Sequence, residues 1–247
     1  MLSVRPWRGE VVLQFCGAQL FCLWLGLMIS LVLRKAGFAA FQPPDGSGVV
    51  LLGTLGFQGA TWLLIPLFLW QHQAGWREAF GLRGPQLPRA LFLAGLLTLA
   101  ILPVALGLQI LSVSALTQFG RSPEEQLAVT LLAGAKSGWM RIYLGLFAVV
   151  LAPVAEEFIF RGVLYPFVKR IGYPRLAWIG VSLLFALVHD DMATLVPLFV
   201  LALMLTWLYE LTDNLLAPIA AHSLFNAANL VLLFLLDPAT AGLPSRP

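Results

Sequence analysis

The chain has 247 residues, of which 60% are hydrophobic and 11% charged, and its mean hydropathy is +0.87. A soluble core of this size cannot use so much apolar surface, so the composition is that of an integral membrane protein and excludes a separate soluble catalytic module. The formal net charge of +3 reflects basic residues flanking the apolar runs and gives no footing for a nucleic-acid partner.

A membrane-crossing helix needs about 20 apolar residues. Runs of this kind lie near 11–33, 49–70, 89–112, 141–164, 176–189, 193–209 and 214–235, and Val163 to Val168 reads as a further short element. The expected fold is all-α: one integral membrane domain over 1–247, a polytopic bundle of seven or eight transmembrane helices with a buried polar cavity. The segments between 176 and 209 are short for full spans, which suggests tilted or half-buried helices around that cavity.

Arg5 and Arg8 precede the first run and Arg34 and Lys35 follow it; the run is longer than a cleaved signal would need, so a retained first helix is expected. Cys16 and Cys22 both fall inside it and read as packing thiols. Pro43, Pro44 and Gly46 mark a loop. Between Gln71 and Arg89, Trp76, Phe80 and Leu82 alternate with Arg77, Arg83 and Arg89, a mixture suited to the headgroup level. Ser122-Pro123-Glu124-Glu125 supplies an N-cap, a first-turn proline and a capping-box acid, predicting a helix from there to about Gly138. With the N-terminus inside and seven spans, Arg5, Arg8, Arg77, Arg83, Arg89, Lys169, Arg170 and Arg175 lie inside, against Arg34, Lys35, Arg121, Lys136, Arg141 and Arg246 outside. The small basic excess favours that orientation.

Charge inside the apolar runs is the exception that points to function. Glu156, Glu157 and Arg161 end the run Leu144 to Pro153, and each such group costs roughly 2.5–3.5 kcal/mol at the centre of a membrane helix. They therefore need a polar, protein-lined environment. Glu157 and Arg161 are four apart, with the acid first, the favoured order for a pair on one helix face. Glu156 is rotated about 100° from Glu157 and about 140° from Arg161, so the spacing predicts that Arg161 neutralises Glu157 and leaves Glu156 for another purpose. Two more patterns follow: Phe185-Ala186-Leu187-Val188-His189, and His222-Ser223-Leu224-Phe225-Asn226 with both polar residues on one face. Pro153 and Pro218 each stand about one turn before a polar group, where a proline in a helix interior loosens the backbone.

Each feature alone has an ordinary structural explanation: Glu157 with Arg161 as a clamp, His189 as a packing residue, Asn226 as interhelical glue. A spare glutamate, two histidines and an asparagine on three helices are harder to explain by packing. His72, beside Gln71 and Gln73, is assigned no role. The next pair, Asp190 and Asp191, can add charge near a site, bind a cation or face solvent.

The order Glu-Glu-x-x-x-Arg, Phe-x-x-x-His, His-x-x-x-Asn over 141–235, with Asn214-Leu215-Leu216-Ala217-Pro218-Ile219 before the last pattern, resembles the CPBP family of intramembrane proteases. That family includes the type II CAAX prenyl endopeptidases and bacterial Abi-type proteins. The resemblance implies a protease core at 141–235 in an integral membrane protein, expected in a bacterial inner membrane, acting on a peptide or lipidated protein. It matches Glu156 to the catalytic glutamate, His189 to its partner in activating water, and His222 with Asn226 to an oxyanion-stabilising pair. Glu157, Arg161 and Phe185 would be supporting residues. A glutamate in a low-dielectric site can take a proton from water, and donors placed at the oxyanion stabilise the tetrahedral state. No His-Glu-x-x-His, Gly-x-Ser-Gly or Gly-x-Gly-Asp segment offers another protease chemistry. The expected mechanism requires no cofactor; zinc held by Glu156, His189 and His222 remains the alternative. The rival classes are a bacteriocin-immunity or scaffold protein of the same fold, and a small-molecule transporter, which should carry paired broken helices in both halves.

Overall fold

The apolar runs fold as helices because a bilayer leaves no other partner for their backbone groups. The computed structural model describes residues 2–42, 47–82, 86–121, 138–189 and 191–236, and among them it contains helices and no strand. Among the described residues, six helices are long and apolar enough to cross a membrane: α1 (Gly9–Lys35), α2 (Ser47–Gln71), α3 (Leu87–Gln118), α4 (Arg141–Arg170), α6 (Leu195–Thr212) and α7 (Leu216–Leu236). The run expected at 176–189 is the shorter α5 (Pro174–Leu187), whose 14 residues extend only about 21 Å. Residues 163–168 form no separate element, being continuous with α4. The capping-box helix expected from Ser122 lies outside the described residues, as do Arg83, Lys136, Asp190 and Arg246.

The chain divides into two compact units, one of Arg5–Ala79 and one of Met1–Val4 with Phe80–Pro247. In the first, α1 and α2 approach so closely that a Cβ on Gly26 would stand 2.8 Å from the Leu52 carbonyl oxygen, and one on Gly56 2.9 Å from that of Cys22. Glycine at both positions lets the backbones meet, the usual small-residue solution in membranes. A π-helical turn at Leu55–Gly59 frees the Phe57 carbonyl, which accepts Gln19 Nε2 at 2.6 Å and Thr61 Oγ1 at 2.8 Å. Cys16 and Cys22 are both free thiols, partly buried. His72 acquires a structural role here: its Nδ1 donates to the Phe68 carbonyl at 2.8 Å, and its Nε2 accepts the Arg8 amide at 2.8 Å.

The second unit is built on α3, α6 and α7, whose core joins Ala90, Ala94 and Ala105 to Leu201, Leu205, Leu208, Ala217, Ala221 and Phe225. Alanines on α3 bring it close to α7, and Thr98 Oγ1 crosses to the Ala221 carbonyl at 3.2 Å, one residue before His222. On α4, Gly162 makes room for Phe80, since a Cβ there would lie 2.9 Å from its ring, and Phe80 stacks edge-on against Phe158 at 4.8 Å.

The backbone of α4 is irregular on both sides of its two glutamates. π-helical turns occupy Phe147–Leu151 and Phe158–Leu164, and each ends two residues before a proline, Pro153 and Pro166. A proline ring clashes with the carbonyl four residues earlier and offers it no N–H; widening the preceding turn moves that carbonyl aside. The loosening expected at Pro153 therefore takes the form of a π turn, a feature frequent at functional sites. Pro218 differs from expectation. It is the third residue of α7, where its missing N–H is one of the orphan donors of a first turn, so it breaks nothing.

Candidate functional site

The two carboxylates of α4 sit in different surroundings because they point from different sides of the helix. Glu157 and Arg161 are wholly buried and paired, Nη1 to Oε1, at 2.8 Å. Every face of the guanidinium is occupied: Nη2 donates to the Ala202 carbonyl at 3.0 Å, Nε to Thr206 Oγ1 at 3.3 Å, and its carbon lies 4.7 Å from the centre of the Phe185 ring. Burial without such partners would cost several kcal/mol, about 3–5 when one member of a buried pair is lost.

Glu157 has a second partner that helix spacing does not reveal. His222 Nδ1, on α7, is 2.9 Å from the same Oε1. A carboxylate can only accept there, so Nδ1 carries the proton and the other ring nitrogen of a neutral His222 is an acceptor. His189 reaches the same state by another route. It lies two residues beyond α5, and its Nδ1 donates to the Phe185 carbonyl at 2.7 Å, which leaves Nε2 as the acceptor.

Both free nitrogens face Glu156. Its Oε2 is 3.9 Å from His189 Nε2 and 3.9 Å from His222 Nε2. The side chains are graded in exposure, with His222 3%, Glu156 12% and His189 28% accessible, so the cluster runs from the buried Glu157 pair to the molecular surface at His189. Phe185 forms the floor between them, fully buried, with its ring 4.7 Å from His189, 5.6 Å from His222 and 5.2 Å from Phe160.

A separation of 3.9 Å is too long for a direct hydrogen bond but suits one bridging water. Two contacts of about 2.8 Å to one oxygen give it at an angle near 90°. For zinc at 2.0–2.1 Å the same separation needs an angle of about 145°, whereas tetrahedral ligands stand roughly 3.3 Å apart. Glu156, His189 and His222 in this arrangement do not fit a tetrahedral zinc, and among the described residues no group of three or more His, Cys, Asp or Glu side chains could hold a metal ion. A water between them would meet three acceptors with only two protons to give, so full satisfaction requires one of the three groups to carry a proton itself.

Asn226 lies one turn beyond His222 on α7. Its Nδ2 donates to the Ala148 carbonyl at 2.9 Å, within the first π turn of α4. The structure thus ties Asn226 to the helix that carries Glu156, through a carbonyl that the widened turn leaves accessible. Asp191 has its oxygens engaged locally, Oδ1 by the Ala193 amide at 2.8 Å and Oδ2 by Thr194 Oγ1 at 2.9 Å, which orders the entry to α6.

Sequence spacing missed two contributors. Thr206 and the Ala202 carbonyl hold Arg161 from α6, and a threonine in an apolar run gives no signal of that use. Glu210 lies one residue past the end expected for its span at 209, yet inside α6, and takes Tyr165 Oη at 2.6 Å, Lys169 Nζ and the Leu2 amide at 3.1 Å.

Residues 137–228, which hold the whole cluster, match the family described as Rce1-like, type II CAAX prenyl endopeptidase Rce1-like. This agrees with the resemblance drawn from the three motifs, and the family points to a CAAX-type protease within the membrane. No curated protein and no solved structure gives a significant match.

Proposed function

We propose that the protein is an intramembrane endopeptidase that hydrolyses a peptide bond of a membrane-associated substrate, prenylated CAAX-type proteins being the class its family suggests, with Glu156 as general base. The observation that carries this reading is the convergence of Glu156 Oε2 with two histidine Nε2 atoms at 3.9 Å each, beside a buried anchor that fixes one of the rings. In this mechanism a water seated between the three groups gives a proton to Glu156 while its oxygen attacks the scissile carbonyl carbon. The carbon–nitrogen bond then breaks, and Glu156 returns the proton to the departing amine. His189 orients the water. His222, whose Nδ1–H is committed to Glu157, donates to the tetrahedral oxyanion only when Nε2 is also protonated; Asn226 retains a second amide hydrogen for the same oxyanion. One well-placed donor of this kind contributes about 2.7–4 kcal/mol. No cofactor enters these steps, and a bacterial inner membrane is the proposed location.

The test is cleavage of prenylated and unprenylated CAAX peptides by purified protein in lipid, with and without prolonged chelation. Cleavage should survive the chelator and disappear in both Glu156→Gln and His189→Ala while each variant stays folded. Loss on chelation with recovery on zinc would replace the metal-free route. A scaffold, in contrast, would cut nothing and would bind its partner unchanged in Glu156→Gln.

A further inference from the structure

The Tyr165–Glu210–Lys169 cluster lies outside the cleavage site, and the mechanism leaves it unused. Its geometry continues that of the site. Along α4, Arg161, Tyr165 and Lys169 follow at four-residue steps; along α6, so do Ala202, Thr206 and Glu210. Arg161 engages Ala202 and Thr206, and Tyr165 and Lys169 both engage Glu210 Oε1, so two helix faces are joined by a polar ladder in one register. The far end is tied down as well, because Glu210 Oε2 accepts the Leu2 amide at 3.1 Å and Ser3 Oγ donates to Asp213 at 3.0 Å.

The ladder flanks the second π turn, Phe158–Leu164, which separates Glu156 and Glu157 from Tyr165 and Lys169. A π turn takes up an extra residue, and its relaxation to α-helical winding turns one end of the helix by about 100° against the other. Such a rotation would carry Glu157 away from His222 and Glu156 away from both histidines if Tyr165 and Lys169 kept their places. We propose that Glu210 is a positioning residue for the site: by holding Tyr165 and Lys169 it keeps the π turn wound and so fixes the direction in which Glu156 and Glu157 point. This rests on the reading of Glu156 as the base. A partly exposed Glu–Lys pair contributes little to folding by itself, so a merely structural role predicts little change in the activity of each folded molecule.

The experiment uses Glu210→Gln and Tyr165→Phe in the full chain, the second removing one hydroxyl and little else. Two readouts are taken on folded protein: kcat and KM for a cleaved CAAX peptide, and the imidazole nitrogen spectrum of 15N-histidine-labelled protein, simple to assign with three histidines. The expected result is a fall in kcat of at least tenfold with KM within about twofold. His222 should change from the single Nδ1–H form to a mixture of tautomers, reporting release from Glu157. An unmoved His222 signal in both variants overturns the proposal, whether or not activity falls. A wild-type protein that cuts nothing, with a His222 signal that still moves in the variants, upholds the positioning role and removes the protease reading instead. Should Glu210→Gln not fold, Tyr165→Phe decides alone by the same criteria.

Discussion

Replacing Glu157 by glutamine tests whether the buried anchor is an ion pair on which the site depends. The change keeps the shape and an acceptor for His222 Nδ1 but removes the carboxylate charge that is hydrogen-bonded to Arg161, whose side chain is inaccessible. Uncompensated burial of such a charge costs about 3–5 kcal/mol. The low end is expected, because Thr206, the Ala202 carbonyl and the Phe185 ring still solvate the guanidinium. A loss of ~3 kcal/mol is large against the roughly 5–15 kcal/mol that holds a domain folded, and folded yield should drop with it. The double variant Glu157→Gln with Arg161→Met buries no charge and should recover most of the loss, as replacement of whole buried pairs often does. Denaturant titration of the purified proteins in one detergent measures both. If the single variant is within about 1 kcal/mol of wild type, or the double variant is no more stable than the single, the ion pair is not what holds Arg161 in place.

Phe185→Ala should destabilise by about 3–5 kcal/mol, since the ring is fully buried against Arg161, Phe160 and both site histidines; thermal unfolding is the measure, and a cost under 1 kcal/mol would mean the floor collapses without consequence. Gly162→Ala should cost about 1–3 kcal/mol by overpacking, and Phe80→Leu should relieve part of it, because the added Cβ meets that ring at 2.9 Å. Pro218→Ala should cost only about 1–2 kcal/mol in the same assay, the transfer term for two buried methylenes, because Pro218 is buried but its first-turn position strains no hydrogen bond; a loss above about 3 kcal/mol would show that the ring also fixes the backbone.

The membrane helices were legible because each long span is a run of apolar residues, and a bilayer permits few folds for such runs. The Glu157–Arg161 pair was legible for a local reason, a four-residue spacing on one helix. His222 on Glu157 was not. That bond joins positions 65 apart in the chain, and helix periodicity fixes only which face a residue takes on its own helix. The same limit hid Thr206 and Glu210, whose partners all lie on other segments. The short helix α5 was anticipated from the length of its run, and its ending before His189 lets that ring bond back to the Phe185 carbonyl.

The π turns occupy a middle position. No residue type encodes one, and the apolar pattern predicted a plain helical span near 141–164 with a separate short element at Val163 to Val168. Yet the prolines that they precede are plain in the sequence, and the clash of each ring with the carbonyl four residues back calls for widening just where it is found. Glu156 and Glu157 stand between the two widened turns, so their aim is set by backbone windings that are individually unfavourable. Something must hold them wound. On the amino-terminal side Asn226 bonds the Ala148 carbonyl inside the first turn, and on the other Arg161, within the second turn, is held from α6, with Tyr165 and Lys169 just beyond it. The polar residues of this region thus divide by position along α4: His189 and His222 gather around Glu156, and the contacts of Asn226, Arg161, Tyr165 and Lys169 brace the helix at the π turns on either side of it.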